Sequence, residues 1–73
     1  MQDSPSSAVF KKLREEREKQ RLSINTLATM ANIDQASLTR LERGLREPRF
    51  DSVGKVCKAL DLSLWEILKG LDI

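Results

Sequence analysis

Apolar residues recur along this chain three and four positions apart, in five separate stretches divided by polar and turn-forming residues. Val9, Phe10 and Leu13 form the first stripe, and Arg17 continues it one turn on. Leu27, Ala28 and Ala31 form the second, and Leu38 and Leu41 the third. Phe50, Val53, Val56, Cys57 and Leu60 make the buried side of a fourth, and Ile67 belongs to a fifth. No stretch alternates with the period of two that a strand needs, and no segment repeats another.

The punctuation between stripes sets the boundaries. Residues 1–6 are polar, with Pro5 near their end, and read as a loose arm; residues 7–73 read as one domain. The first helix is expected from Ser6 or Ser7 to about Gln20. Ser23 is a good N-cap for the second. Asn32, in the break from Met30 to Asp34, is one of the few residue types that accept the left-handed conformation such a turn requires. Asp34 caps the third helix and Gly44 suits its left-handed end. Pro48 stops the loop, and a fourth helix covers about Phe50 to Leu60. Arg49 is a poor cap for it, and Gly54 lowers its propensity by about 1 kcal/mol relative to Ala. Ser63-Leu64-Trp65-Glu66 has the spacing of a capping box, Leu62 and Ile67 can staple it, and Gly70 ends the helix it opens.

The pattern is therefore all-α, a five-helix bundle, and its centre is the stretch from Ser23 to Gly44. Two short helices meet there across a tight turn. The second turns Leu38 and Leu41 inward and leaves Gln35, Ala36, Thr39, Arg40 and Arg43 on its outer face. That is the layout of a helix-turn-helix, whose second helix lies in a DNA major groove.

These residues resemble the phage-repressor/Cro-type helix-turn-helix family. The match runs through Leu22-Ser23, Leu27-Ala28, Ile33, Leu38, Leu41-Glu42-Arg43-Gly44, Arg46 and Pro48, then Ala59-Leu60-Asp61-Leu62-Ser63-Leu64, and covers roughly residues 10–69. The resemblance implies a lambda-repressor-like DNA-binding fold. It implies an ion pair between Arg17 and Glu42, and base contacts from Gln35, Ala36, Thr39 and Arg40. Ser23, Asn25, Arg43, Arg46 and Arg49 are then the candidates for the DNA backbone. The chain also departs from the family: Ile24 stands where the family often has a phosphate-supporting Gln, Asn32 replaces the usual turn Gly, and Arg21 replaces the Gly before the Leu-Ser pair.

Composition changes this picture mainly by exclusion. Seventy-three residues, 40% of them hydrophobic, suit one small core. A net charge of +2 and a pI near 9.0 permit a nucleic-acid partner without demanding one, so distribution decides. Arginines fall at 40, 43, 46 and 49, beside the reading helix, where phosphates are the expected partners. There is no His, the commonest general base and metal ligand. The single Cys allows no intramolecular disulfide and no zinc cluster; Cys57 reads as a buried structural thiol. No apolar run approaches the length of a membrane span, so a cytoplasmic protein with no membrane contact is expected. An enzyme is a poor reading, and no cofactor or metal is called for.

The leading expectation is a sequence-specific, double-stranded DNA-binding transcriptional regulator. It acts as a dimeric repressor by occupying an operator of two half-sites, in the manner of controller, phage-repressor or antitoxin proteins. Trp65, Leu68, Leu71 and Ile73 offer apolar surface for the homodimer interface. The alternative is a helical protein-interaction module that docks a partner protein without reading DNA.

Overall fold

The computed structural model describes residues 5–69. Five helices follow in order: α1 (Pro5–Lys19), α2 (Ile24–Ala31), α3 (Gln35–Glu42), α4 (Phe50–Ala59) and α5 (Leu64–Lys69). No strand occurs among the described residues, so the all-α bundle expected from the apolar spacing is the fold. α1 starts at Pro5, ahead of the expected Ser6 or Ser7. Proline is at home in a helix's first turn, because its φ is already helical and its missing N–H has no intrahelical use there. Pro5 and Ser6, read as part of an arm, thus belong to α1; residues 1–4 lie outside the described residues.

One core joins all five helices. It holds Phe10 and Leu13 of α1, Leu27, Ala28 and Ala31 of α2, Leu38 and Leu41 of α3, Val53, Val56 and Cys57 of α4 with the following Leu60, and Ile67 of α5. α2 packs on α3 and α4, while α1 lies against α3, α4 and α5. Each fully buried Leu or Phe contributes about 1.5–3 kcal/mol. α1 therefore acts as the strut that holds α3 at a set angle, with ion pairs such as Lys12–Glu16 and Arg14–Glu18 on its solvated side.

Four helices end in the same way. Arg21, Asn32, Gly44 and Asp61 all adopt left-handed backbone, with φ between 58° and 73°. After each, the next residue's N–H reaches back to the final turn: Leu22 to Arg17 O, Ile33 to Ala28 O, Leu45 to Arg40 O and Leu62 to Cys57 O, at 2.8–3.1 Å. This is the Schellman arrangement, which satisfies carbonyls that a helix end leaves unpaired. Gly44 and Asn32 are suited to it and Asp61 tolerates it, whereas Arg21 adopts it against its own preference. The motif normally packs the apolar residue after the left-handed one. Leu22, Ile33 and Leu62 do pack against the core, but Leu45 is left 71% exposed.

Phe50 is a correction. Its spacing puts it with Val53, Val56 and Leu60, yet it is 81% exposed. It is the first residue of α4, and the core ends one turn further along, so the stripe runs past the apolar surface available to it. Arg49 makes no side-chain cap bond, in keeping with its residue type. Ser63 and Glu66 form the reciprocal capping box: Ser63 Oγ accepts from the Glu66 N–H at 3.1 Å, and Glu66 Oε1 from the Ser63 N–H at 3.3 Å.

Candidate nucleic-acid interface

Two side-chain caps and one turn set the angle between α2 and α3. Ser23 Oγ accepts from the Thr26 N–H at 3.0 Å and starts α2. Asn32, at φ 58°, reverses the chain. Asp34 then caps α3, accepting from the Ser37 N–H at 3.0 Å and from the Ser37 hydroxyl at 2.8 Å. These bonds, the hydroxyl's first and the backbone's second, hold the Asp34 carboxyl below its ordinary pKa. Buried Leu38 and Leu41 anchor one side of α3. The opposite side presents Gln35, Ala36 and Arg40, all exposed, with half-buried Thr39 between them and exposed Arg43 at the helix end.

Glu42 would otherwise put a negative charge beside that face. Instead it is bound edge-on by Arg17: Nε donates to Oε2 at 2.9 Å and Nη2 to Oε1 at 3.0 Å. Arg17 Nη1 donates in addition to the carbonyl of Leu22 at 2.8 Å. The two side chains are only 13% and 5% exposed. A two-point guanidinium–carboxylate pair of this kind fixes geometry as well as charge. It ties α1 to the end of α3 and neutralises the one acid on that helix's inner edge.

The outer face of α3 forms a shallow depression lined by Gln35, Ala36, Thr39, Arg40, Arg43 and Leu45. A second depression adjoins it, sharing Gln35, Thr39 and Arg43 and adding Arg14, Ile24 and the Arg17–Glu42 pair. The four residues expected to meet bases therefore lie together, with Arg43 beside them. Arg46 and Arg49 do not join this group. They line another hollow, with Asn32, Asp34, Ser37 and Lys55, toward α4. There Arg46 Nη1 donates to Ser37 Oγ at 3.0 Å, which links the loop to the cap of α3. Ser23 and Asn25 are exposed at the start of α2. Trp65 is 69% exposed on α5; the side chain of Leu68, and Leu71 and Ile73, lie outside the described residues.

Two side chains on this surface escaped the sequence reading. Arg14 sits among the mixed charges of α1, a pattern that by itself marks a solvated face, and only the packing of α1 on α3 carries it next to Gln35 and Arg43. Leu45 gave no periodic signal, since it falls in a loop. Neither could be found without the tertiary arrangement. Among the described residues, no three His, Cys, Asp or Glu side chains group as a metal site, and no helix is long and apolar enough to cross a membrane. Burial raises the pKa of the Cys57 thiol, as fits an inert core residue.

A fold of this kind, with an exposed Gln/Thr/Arg face on the second helix of a capped two-helix unit, defines a DNA-binding helix-turn-helix protein. The helix-turn-helix family model matches residues 13–67, and the chain belongs to that family, the phage-repressor/Cro-type group of DNA-binding transcriptional regulators. Among solved structures it is similar to the clp gene regulator ClgR from C. glutamicum: 25% identity, TM-score 0.88, covering 99% of this chain and 92% of that one. The restriction-modification controller protein C.AhdI from Aeromonas hydrophila is 31% identical with a TM-score of 0.78, over 84% of this chain and 92% of that one. The wild-type controller protein C.Esp1396I shares the fold at 21% identity and a TM-score of 0.88, over 97% and 93% of the two chains. No curated protein sequence matches significantly.

Proposed function

We propose that this regulator is a cytoplasmic homodimeric repressor that reads a specific operator of two half-sites with α3 and acts by occupying it. Gln35, Ala36, Thr39 and Arg40 meet base edges. Gln pairs bidentately with adenine and Arg with guanine, and the methyls of Ala36 and Thr39 suit a thymine methyl. Arg43 and, on the other flank of α3, Arg46 and Arg49 hold phosphates, together with Ser23 and Asn25 at the start of α2. The observation that carries this reading is the depression shared by Gln35, Ala36, Thr39, Arg40 and Arg43, with Glu42 withdrawn from it by Arg17. The likeness of this chain to the controller protein C.AhdI favours a transcriptional regulator of the same kind. Repression fits better than activation, because the exposed residues of α2 are Asn25, Thr26, Thr29 and Met30, none of them acidic.

The test is a site selection from a random duplex library, followed by titrations of variants at several salt concentrations. Arg40→Ala should cost about 1–3 kcal/mol on the selected site and relax preference at one or two base pairs. Arg46→Ala should weaken binding to all duplexes alike and lower the salt slope by about 1 per bound protomer. Full base preference in Arg40→Ala, with only affinity lost, would overturn α3 as the reading helix in this register. Absence of salt-dependent duplex binding without a partner protein would favour the docking-module reading.

A further inference from the structure

Leu45 breaks the rule that its three counterparts obey. All four occupy the position after a left-handed residue, and all four donate their N–H back into the preceding helix. Leu22, Ile33 and Leu62 then pack their side chains against the core. Leu45 does not, and stays 71% exposed. An exposed Leu is ordinary on its own. This one is held by the 2.9 Å bond from its N–H to Arg40 O, and it lines the same depression as Gln35, Thr39 and Arg40. It is the largest apolar side chain there, among amide, hydroxyl and guanidinium groups.

Resting on the reading of α3 as the major-groove helix, we propose that Leu45 is a further specificity-determining residue, which recognises the 5-methyl group of one thymine in each half-site. The major groove displays one apolar feature on its base edges, the thymine methyl. A branched aliphatic side chain, carried on a backbone held beside α3, is complementary to that group. The backbone bond matters, because a side chain on a wandering loop would lose entropy on docking and discriminate less. Leu45 thus extends the reading surface beyond the last turn of α3, adding apolar readout to the hydrogen-bonding readout of Gln35 and Arg40.

Replacing thymine by deoxyuridine tests this directly, since it removes the methyl and keeps the hydrogen-bonding edge. Each thymine of the selected site is replaced in turn, and affinities are measured for the wild type, Leu45→Ala and Leu45→Ile. For the wild type, one deoxyuridine position per half-site, beyond any that Ala36 and Thr39 meet, should weaken binding roughly fourfold, the worth of burying about one methylene-sized group. Leu45→Ala should bind the unmodified site more weakly by a similar factor and be indifferent to deoxyuridine at that position. Leu45→Ile should keep the sensitivity. The melting temperature of Leu45→Ala should match the wild type, as the side chain packs outside the core.

If Leu45→Ala retains the wild-type deoxyuridine profile at every position, the inference is wrong while helix reading by Arg40 still stands. Uniform weakening on all duplexes with an unchanged profile would mean contact with the sugar-phosphate strand, and a changed oligomeric state with an unchanged profile would mean a protein contact; either overturns it. A wild type that selects no duplex site overturns both this inference and the reading beneath it.

Discussion

Arg17 shows how much of a small domain can depend on one side chain. It lies on the apolar stripe of α1, where an unpaired charge would be costly, and all three of its bonding nitrogens are used: two on Glu42 and one on the Leu22 carbonyl. Arg17→Ala leaves a nearly buried carboxylate alone and frees the end of α1. The expected loss is about 3–5 kcal/mol, a large share of a domain's total stability. Thermal or urea unfolding measures it, and a melting temperature within a degree of wild type would contradict the account. Lysine should not rescue, because a point charge cannot span both carboxylate oxygens and the carbonyl. Asp34 gives a second residue-scale test. Its carboxyl is held low by the bonds from Ser37, so the cap's contribution is present above the unfolded-state pKa and is lost as pH falls through the lower folded value. The Asp34 carboxyl carbon followed by NMR should titrate with a midpoint below about 3.9, the ordinary aspartate value. A midpoint at or above it would remove the charged cap from the argument.

At the scale of elements, the recurring left-handed helix ends are the organising feature. They let short helices turn sharply while keeping their terminal carbonyls satisfied. The residue types used are uneven, and Arg21, exposed at φ 58°, is the least suited. Arg21→Gly removes the clash of the β-carbon with its own backbone and should stabilise the fold by about 1 kcal/mol. In a domain of this size that raises the melting temperature by about 4–8 °C. A drop instead would show that the Arg21 side chain contributes more than its backbone conformation costs. The same elements fix the outer face of α3. α3 is only two turns long, yet Asp34 at one end, Gly44 at the other and Arg17 beneath hold it firmly enough to present side chains in a fixed register.

For the whole molecule, the unassigned apolar surface is the main consequence. Trp65 stands 69% exposed on α5, and a large exposed aromatic is a common interface anchor. The expected outcome is a two-fold dimer through α5, whose two α3 helices would meet half-sites about one helical turn apart. Sedimentation equilibrium should show dimer at about tens of micromolar protein, a weak-binding scale, and Trp65→Ala should shift it toward monomer. Monomer alone under those conditions, with and without the selected duplex, would end the dimer proposal.

Local signals carried the sequence a long way here. Ser23, Asp34 and Ser63 cap helices because a side-chain oxygen two or three residues from a free N–H needs no tertiary help. Leu27, Leu38 and Val56 point inward because helical spacing puts them on one face. Asn32 and Gly44 mark turns by their own conformational tolerance. These facts, with the ordered resemblance to a helix-turn-helix, sufficed for the five helices and for grouping Gln35, Ala36, Thr39 and Arg40 on one outer face. Other features were decided only when the helices met. Phe50 is exposed because the core ends before the first residue of α4, a distance no periodicity records. Arg46 and Arg49 share a regular spacing with Arg43 but lie in a different hollow, because the loop turns toward α4. Arg14 reaches the face through the crossing of α1 over α3. Leu45 is exposed because the loop after Gly44 carries it onto the outer face of α3 and away from the core. Caps and stripes are short-range and so are written in the chain; which surfaces remain uncovered depends on where distant segments come to rest.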